Sequence, residues 1–205
     1  MRIALIDYKA GNLTSVKKAF AAIGAPVDVP DAPGDLARAD AIVVPGVGHF
    51  DATRAMTPDW VSAIRARLDA SAALLGICLG LQWLFEGSDE EPGTPGLGVL
   101  RGRCSRLPGR EAMAGAAAIK VPHVGWNALR IVRPDTIVDG VADGSQVYFT
   151  HSFVAPVTEA TVATTEHGET FAAIVQQGRV AGVQFHPEKS GDVGLSILRN
   201  FCERI

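Results

Sequence analysis

The sequence has little of what a disulfide framework, a zinc site or a membrane span requires. Only three of its 205 residues are cysteines, Cys78, Cys104 and Cys202, and their odd number and wide spacing make a poor disulfide framework. No Cys-x-x-Cys pair occurs, which argues against a cysteine zinc site. No uncharged apolar run approaches the roughly 20 residues of a membrane helix, and the apolar stretch before Asp7 is too short for a signal peptide. We therefore expect a soluble, cytoplasmic protein that needs no metal or other cofactor.

An excess of charge of one sign is also missing. The 19 basic and 22 acidic side chains leave a formal net charge of −3, so no sequence-wide basic face is available for nucleic acid. What is present is a hydrophobic fraction of 47% beside 20% charged residues, which is typical of a globular protein. A chain of this length is predicted to form a single domain over residues 1–205.

Short apolar runs alternate with helical patterns in the first half of the chain. The predicted strands there are 3–6, 26–29, 41–44 and 72–77, and the predicted helices are 15–23 and 58–68. Apolar strands separated by helices are typical of a parallel sheet covered on both faces. Beyond residue 97, turn residues separate apolar runs at 147–149, 161–163, 172–175 and 180–185. These runs predict antiparallel or mixed strands before a C-terminal helix at 193–202.

A cysteine between two glycines follows the predicted strand at 72–77. In an open parallel sheet, ligands bind at the carboxyl ends of the strands, which is where Cys78 falls. The pattern Gly-x-Cys-x-Gly has the form of a nucleophile elbow, in which small flanking residues allow a tight turn from strand to helix. A helix N-terminus also favours the thiolate. A buried structural thiol fits the same five residues, because free cysteine is among the most buried residue types.

A histidine follows another predicted strand, at 180–185. His186 is followed by Pro187, which favours extended backbone at the residue before it, and then by Glu188. In extended backbone, side chains two residues apart point to the same side. Glu188 is therefore predicted to orient His186 as the acid of a Cys-His-acid triad. A strand-terminating turn with a surface acid is the alternative.

The loop PGVG at 45–48 follows a third predicted strand. Its two glycines allow unusual backbone angles and leave N–H groups open to a ligand, as the oxyanion of acyl transfer requires. PGVG alone is a weak signal, because it occurs in many ordinary turns.

Together, PGVG (45–48), GICLGLQ (76–82) and VQFHPE (183–188) resemble the motifs of class I glutamine amidotransferases. Within that class the chain is most similar to the glutaminase subunits of imidazole glycerol phosphate synthase. The segments that carry this closer resemblance are IDYKAGNL (6–13), KVPHVGWN (120–127), YFTHSF (148–153) and FHPEKSGDVG (185–194). The resemblance spans Ile3–Phe201, and it implies an α/β, flavodoxin-like parallel or mixed sheet with helices on both faces and a smaller added antiparallel sheet.

The resemblance also implies roles for individual residues. Cys78 would attack the side-chain amide of L-glutamine, His186 would transfer the proton, and Glu188 would hold His186. The implied substrate-binding residues are Gly46, Val47, Gly48, Leu79, Gln82, Ser152 and Phe153, with the backbone N–H groups of Val47 and Leu79 as oxyanion donors. The implied interface residues are Asn12, His123, Trp126, Tyr148 and Lys189. They would face a (β/α)₈-barrel cyclase subunit, which uses the ammonia to make imidazole glycerol phosphate in histidine biosynthesis; the two subunits would form a heterodimer.

One residue departs from the family pattern, and two other functions stay open. Lys9 stands where the family usually has glycine, close to the implied interface; it would be strained if the backbone there needs a positive φ. The glutaminases of anthranilate or pyridoxal-phosphate synthesis share the triad motifs, although KVPHVGWN and Lys189-Ser190 favour the histidine family. A non-enzymatic flavodoxin-like binding module, with Cys78 as a redox sensor, is the alternative from a different class.

Overall fold

The computed structural model describes residues 1–11, 13–109 and 118–204. In chain order the strands are β1 (Ile3–Leu5), β2 (Val27–Asp28), β3 (Ala41–Val44), β4 (Ala73–Ile77), β5 (Gly87–Ser88), β6 (Arg103–Arg106), β7 (His123–Ala128), β8 (Arg130–Ile131), β9 (Gln146–His151), β10 (Phe153–Val154), β11 (Thr161–His167), β12 (Glu169–Gln177) and β13 (Val180–Val183). The α-helices are α1 (Leu13–Ala22), α2 (Pro58–Asp69), α3 (Leu79–Leu84) and α4 (Gly191–Arg204).

The largest sheet has the strand order β2-β1-β3-β4-β13-β12-β11-β8. Its first five strands are parallel, and β12, β11 and β8 continue it in antiparallel pairing. Numbered among the parallel strands alone, this order is 2-1-3-4-5, as in flavodoxin-like folds: the chain adds β2 on one side of β1 and then β3, β4 and β13 on the other. The predicted fold class is confirmed.

Two hydrophobic clusters lie on the two faces of this sheet, because successive side chains of each strand point to opposite faces. Alternate residues of β3 illustrate the division, since Val43 belongs to one cluster and Ile42 to the other. Phe20 of α1 and Phe201 of α4 pack in the first cluster, whereas Ile64 of α2 packs in the second. Burial of both strand faces explains why the parallel strands are continuous apolar runs in the sequence.

Two smaller sheets accompany the large one. The strands β10-β6-β5 form a mixed three-stranded sheet, and β7 pairs with β9 as an antiparallel ribbon. Sequence patterns did not predict β7 as a strand. Its residues are mostly half-buried or exposed, with Trp126 56% exposed, and Gly125 interrupts it at φ +139°, so no continuous apolar run marks it.

Several element boundaries differ from the sequence-based predictions. β3 begins and ends where predicted, but β13 ends at Val183, two residues before the predicted end at Phe185. A 3₁₀ helix occupies Pro187–Lys189, so the extended backbone expected to continue through Glu188 ends at His186. The C-terminal helix starts two residues earlier than predicted, at Gly191, whose φ of +57° suits glycine.

Candidate active site

Four chain segments meet at the carboxyl end of the parallel sheet. Tyr8 follows β1, Gly46 follows β3, Cys78 follows β4 and His186 follows β13, and these strands are consecutive neighbours in the sheet. Parallel strands bring their carboxyl ends to one edge, where open α/β sheets bind ligands. The topology therefore places residues that are far apart in the sequence around one site.

Cys78 occupies a strained turn between β4 and α3. Its φ of +53° and ψ of −106° lie outside the ordinary regions for a residue with a side chain. Neither flanking glycine could carry a side chain without a clash. A Cβ at Gly76 would collide with the Gly80 carbonyl, and a Cβ at Gly80 would collide with the Val44 carbonyl. This arrangement matches the nucleophile elbow that the sequence predicted.

His186 and Glu188 are joined by a hydrogen bond. His186 Nδ1 lies 2.8 Å from Glu188 Oε1, and both side chains are 2% exposed. The two side chains meet across the start of the 3₁₀ helix, so the contact is made by a turn and not by strand alternation as predicted. The bond to Nδ1 leaves Nε2 directed away from Glu188, and Nε2 has no hydrogen-bond partner meeting ordinary geometry among the described residues.

The surroundings of His186 favour its protonated form. Burial lowers the pKa of His186, but the interaction with the Cys78 thiol, the hydrogen bond that His186 donates to Glu188 and the charges of both groups raise it to about 10. An imidazolium beside a cysteine stabilises the thiolate, which is the nucleophilic form. Gln184, which is fully buried, adds a donor, with Nε2 3.9 Å from Cys78 Sγ.

A cavity of about 270 Å³ opens over Cys78. The residues that line it are Gly48, Cys78, Leu79, Gln82, Glu90, Pro122, Thr150, His151, Ser152 and Phe153. Five of the seven predicted substrate-binding residues are in this set, and Gly46 and Val47 are not. Gln82 is fixed by a hydrogen bond of 2.9 Å from Nε2 to the Phe153 carbonyl.

Glu90 is a wall residue that sequence reasoning missed. It lies in the polar, Gly/Pro-rich segment 87–96, and its Oε2 accepts a hydrogen bond of 2.8 Å from the Phe50 N–H. Glu90 gives the cavity wall a carboxylate. No local pattern in the sequence distinguishes it from the neighbouring acids Asp89 and Glu91.

The PGVG loop holds one of the predicted oxyanion donors. The Leu79 N–H donates to the Gly46 carbonyl over 3.4 Å, a long hydrogen bond. The loop therefore engages the Leu79 N–H in this structure. Rotation of the peptide between Gly46 and Val47 would release this N–H for a ligand in the cavity.

A chain of neutral side chains connects β7 to the cavity wall. His151 Nδ1 lies 3.1 Å from the Phe153 carbonyl, which can only accept, so Nδ1 carries the proton. His151 Nε2 then accepts from His123 Nδ1 over 3.2 Å, and His123 Nε2 accepts from Asn127 Nδ2 over 3.3 Å. Burial and the neighbouring histidines lower the pKa of His123 to about 4 and that of His151 to about 3.

The two buried histidines predict a loss of stability in weak acid. Below pH 6.5 the unfolded chain binds protons at His123 and His151, whereas the folded chain binds them only near pH 4 and pH 3. Their stabilising contribution is present above pH 6.5 and is lost as the pH falls. We expect the free energy of unfolding to decrease by about 1.4 kcal/mol per pH unit for each histidine below pH 6. Urea unfolding at pH 7, 6, 5.5 and 5 measures this slope.

Removing one of these titrating groups should reduce that slope. In His151→Gln we expect the decrease per pH unit to be smaller by about 1.4 kcal/mol, whatever the stability at pH 7. His186 does not contribute in this range, since both states bind its proton below pH 6.5. An unchanged slope in His151→Gln would contradict the prediction.

The predicted interface residues are not equally accessible. Trp126 is 56% exposed, and its ring meets Tyr148 edge to face with 6.1 Å between centroids. Lys189 Nζ lies 5.6 Å from the Tyr148 ring centroid. His123 is only 4% exposed and all its described contacts are internal, so its side chain does not reach the surface. Asn12 lies outside the described residues.

Lys9 adopts the backbone conformation that a glycine would adopt without strain. Its φ is +65°, and its N–H and Nζ bond the two carboxylate oxygens of Asp7 at 2.9 and 2.7 Å. The condition for strain at this position is therefore met. Nothing in the structure explains why lysine stands here.

The described residues contain no group of three or more His, Cys, Asp and Glu side chains that could hold a metal ion. Nor do they include a helix long and apolar enough to cross a membrane. A larger cavity, of about 1060 Å³, lies near Gly178 and Arg179 at the opposite end of β13 and has no nucleophilic thiol.

Comparison with known proteins gives consistent matches over nearly the whole chain. The family Glutamine amidotransferase class-I matches residues 4–205. The imidazole glycerol phosphate synthase subunit HisH of Moorella thermoacetica is 45% identical over 207 aligned residues, covering 99% of this chain and 95% of that protein. The HisH subunit of Methanosarcina acetivorans is 43% identical and covers 98% of each.

Solved structures share the fold at lower identity. A structure titled as a glutamine amidotransferase superposes with a TM-score of 0.72 at 20% identity and covers 97% of this chain and 98% of that one. PurLQS from Thermotoga maritima gives 0.71 at 17% identity, with 98% and 97% covered.

Proposed function

This chain belongs to the class I glutamine amidotransferases, and we propose that it is the glutaminase subunit of an imidazole glycerol phosphate synthase. In that role it hydrolyses L-glutamine to glutamate and supplies the ammonia to a cyclase partner for histidine biosynthesis. The identity of about 45% to HisH subunits along nearly the full length favours this assignment over the related anthranilate and pyridoxal-phosphate glutaminases.

One observation carries the proposal: Cys78, His186 and Glu188 meet at the edge of the sheet beside a cavity. The distance of 2.8 Å between His186 and Glu188, the interaction that raises the pKa of His186 next to Cys78, and the elbow geometry of Cys78 are what covalent catalysis by a thiol requires. A redox-sensing thiol would need neither a histidine–carboxylate pair nor a cavity of this kind.

The proposed reaction proceeds in two halves. Cys78 Sγ attacks the side-chain carbonyl carbon of glutamine, and the carbonyl oxygen becomes an oxyanion held by backbone N–H groups. His186 gives its Nε2 proton to the amide nitrogen, the C–N bond breaks, and ammonia leaves a γ-glutamyl thioester. His186 then takes a proton from water, whose oxygen attacks the thioester; the C–S bond breaks, glutamate forms, and Cys78 is released as the thiolate beside protonated His186.

The cavity wall is suited to an amino-acid substrate. Gln82 and Phe153 are held to each other beside Cys78, and Ser152 adds a hydroxyl. The carboxylate of Glu90 is complementary to the ammonium group of glutamine. We therefore assign substrate binding to these residues together with Gly48.

The long bond between the Leu79 N–H and the Gly46 carbonyl predicts that the isolated chain is a weak glutaminase. With this N–H unavailable, the oxyanion lacks one donor, and such donors are worth about 10²–10³-fold in rate. A partner that rotates the Gly46–Val47 peptide would restore the donor. We propose that the partner is a (β/α)₈-barrel cyclase of the HisF type and that it binds the surface formed by Trp126, Tyr148 and Lys189.

The experiment that tests this function combines covalent labelling with co-purification. A diazoketone analogue of glutamine should alkylate Cys78, as located by peptide mass spectrometry, and excess L-glutamine should prevent the labelling. The half-buried Cys202 is the internal control and should stay unmodified. Glutamate release should be slow for the chain alone and should rise in the complex with the barrel subunit and its nucleotide substrate.

Two outcomes would overturn the assignment. Full glutaminase activity of the chain alone would contradict the coupling to a partner. Co-purification with an anthranilate-type synthase subunit in place of a barrel protein would replace the proposed pathway with another.

A further inference from the structure

The hydroxyl group of Tyr8 has no hydrogen-bond partner among the described residues although it is buried. Tyr8 is 5% exposed, and within residues 1–11, 13–109 and 118–204 its Oη is one of four buried side-chain polar atoms without a partner. Leaving a buried hydroxyl unpaired is unfavourable, so a protein that retains one usually pairs it in another conformation or with another ligand. None of the sequence motifs assigned a role to this side chain.

Tyr8 lies against the PGVG loop, at the glycine whose carbonyl accepts from the Leu79 N–H. A Cβ placed on Gly46 would collide with Tyr8 Oη, and the next nearest atom would be Leu79 Cβ at 2.8 Å. The Tyr8 hydroxyl and Leu79 are thus on the same side of the Gly46 Cα. Absence of a side chain at Gly46 is what allows this approach.

The loop rotation creates a second unpaired group. In the structure the Gly46 carbonyl accepts the long hydrogen bond from the Leu79 N–H. When the peptide turns to free that N–H for the oxyanion, the carbonyl loses its donor. Rotation about the Gly46 Cα–C bond swings the carbonyl oxygen around that bond. The Tyr8 hydroxyl lies beside the Gly46 Cα and is therefore close to the path of this oxygen.

We propose that Tyr8 is a positioning residue, whose hydroxyl donates to the Gly46 carbonyl once the loop has turned and so stabilises the arrangement in which Leu79 is free to hold the oxyanion. The inference rests on the proposed glutaminase function and adds a residue to it. One hydrogen bond would then pair both the Tyr8 hydroxyl and the Gly46 carbonyl that has lost its donor. Tyr8 touches neither the substrate nor the reacting atoms in this account.

The protonation of Tyr8 agrees with a donor role. Burial and the nearby charge of Cys78 raise the pKa of the Tyr8 hydroxyl well above its ordinary value, so the proton stays on the oxygen. The resting loop and the turned loop then differ in one hydrogen bond from Tyr8, which shifts the equilibrium between them.

The test compares Tyr8→Phe with the unmodified chain, alone and in the complex with the barrel subunit and its nucleotide substrate. In the chain alone the turned loop is the minor state, so losing the hydrogen bond from Tyr8 lowers its population in full proportion to the energy of that bond. Turnover should therefore fall about fivefold to tenfold. In the activated complex the turned loop dominates and the loss should be smaller. KM for glutamine should change by less than twofold in both.

Thr94→Val is the matched control. Thr94 Oγ1, in the segment 87–96, is another buried hydroxyl for which the described part of the chain offers no hydrogen-bond partner, and removing it should leave turnover unchanged. Because neither hydroxyl bonds any residue that the structure describes, both variants should unfold at the same or a higher urea concentration than the unmodified chain.

Three results would overturn the role of Tyr8. Unchanged turnover of Tyr8→Phe in the isolated chain would do so, as would equal losses in the chain and in the complex. A fall in the urea midpoint would show instead that the hydroxyl supports the resting fold. Failure of the proposed function itself looks different, because the unmodified complex would then release no glutamate.

Discussion

Cys78→Ala is expected to lower glutamine hydrolysis by about 10⁴-fold or more, while the fold and the complex with the partner are retained. The alanine removes the only atom that can form the γ-glutamyl thioester, and triad residues of this kind act as a unit, so no neighbouring group replaces it. Alanine fits the space, because it is smaller than cysteine. Glutamate release in the activated complex measures the loss.

Two controls define this result. Cys202→Ala, in α4, removes a half-buried thiol away from the site and should keep full turnover. The complex that carries Cys78→Ala should recover cyclase activity when an ammonium salt is added at alkaline pH, since only the source of ammonia is missing. A Cys78→Ala chain that still releases glutamate would exclude the triad.

Glu188→Gln is expected to lower kcat/KM by about 10²- to 10⁴-fold and to move the alkaline limb of the pH profile to lower pH. The amide oxygen can still accept from His186 Nδ1, but the negative charge that helps to raise the pKa of His186 is gone. The imidazolium is therefore lost at a lower pH, and with it the proton for the leaving ammonia. Steady-state rates of the activated complex between pH 6 and pH 10 provide the profile.

The exposed residue Glu203 offers the matched substitution. Glu203→Gln removes the same charge at the end of α4 and should leave both the rate and the profile unchanged. A Glu188→Gln enzyme within threefold of the unmodified rate would mean that the carboxylate neither orients nor charges His186.

Local sequence patterns predicted the parallel sheet well because its strands are buried on both faces. The run Ala41–Val44 needs no tertiary information to be identified, and its bounds were predicted to the residue. The strand His123–Ala128 could not be found in this way, since it is stabilised by pairing with Gln146–His151 and leaves Val124 and Trp126 exposed. Which residues of this strand are buried depends on its pairing with a strand that lies far away in the sequence.

The same distinction, between local sequence features and contacts made by distant segments, applies to the residues of the site. Cys78, His186 and Glu188 could be proposed from the sequence because strand ends and turn residues are local features, although the contact between His186 and Glu188 is made by a 3₁₀ turn and not by strand alternation. The unpaired hydroxyl of Tyr8 and the bond between Leu79 and Gly46 depend on how loops from different strands come together. Such contacts are properties of the tertiary structure, and no motif in a single sequence encodes them visibly.

The position of β13 in the large sheet has a consequence for how the protein is made. This strand is synthesised last among the strands, yet it lies between β4 and β12. Until it emerges from the ribosome, a nascent chain exposes two unpaired strand edges, which favour association with other chains. His186 and Glu188, the proposed partners of Cys78, follow β13 in the sequence and leave the ribosome after it. A chain that terminates before β13 therefore carries the Cys78 thiol without His186 and Glu188.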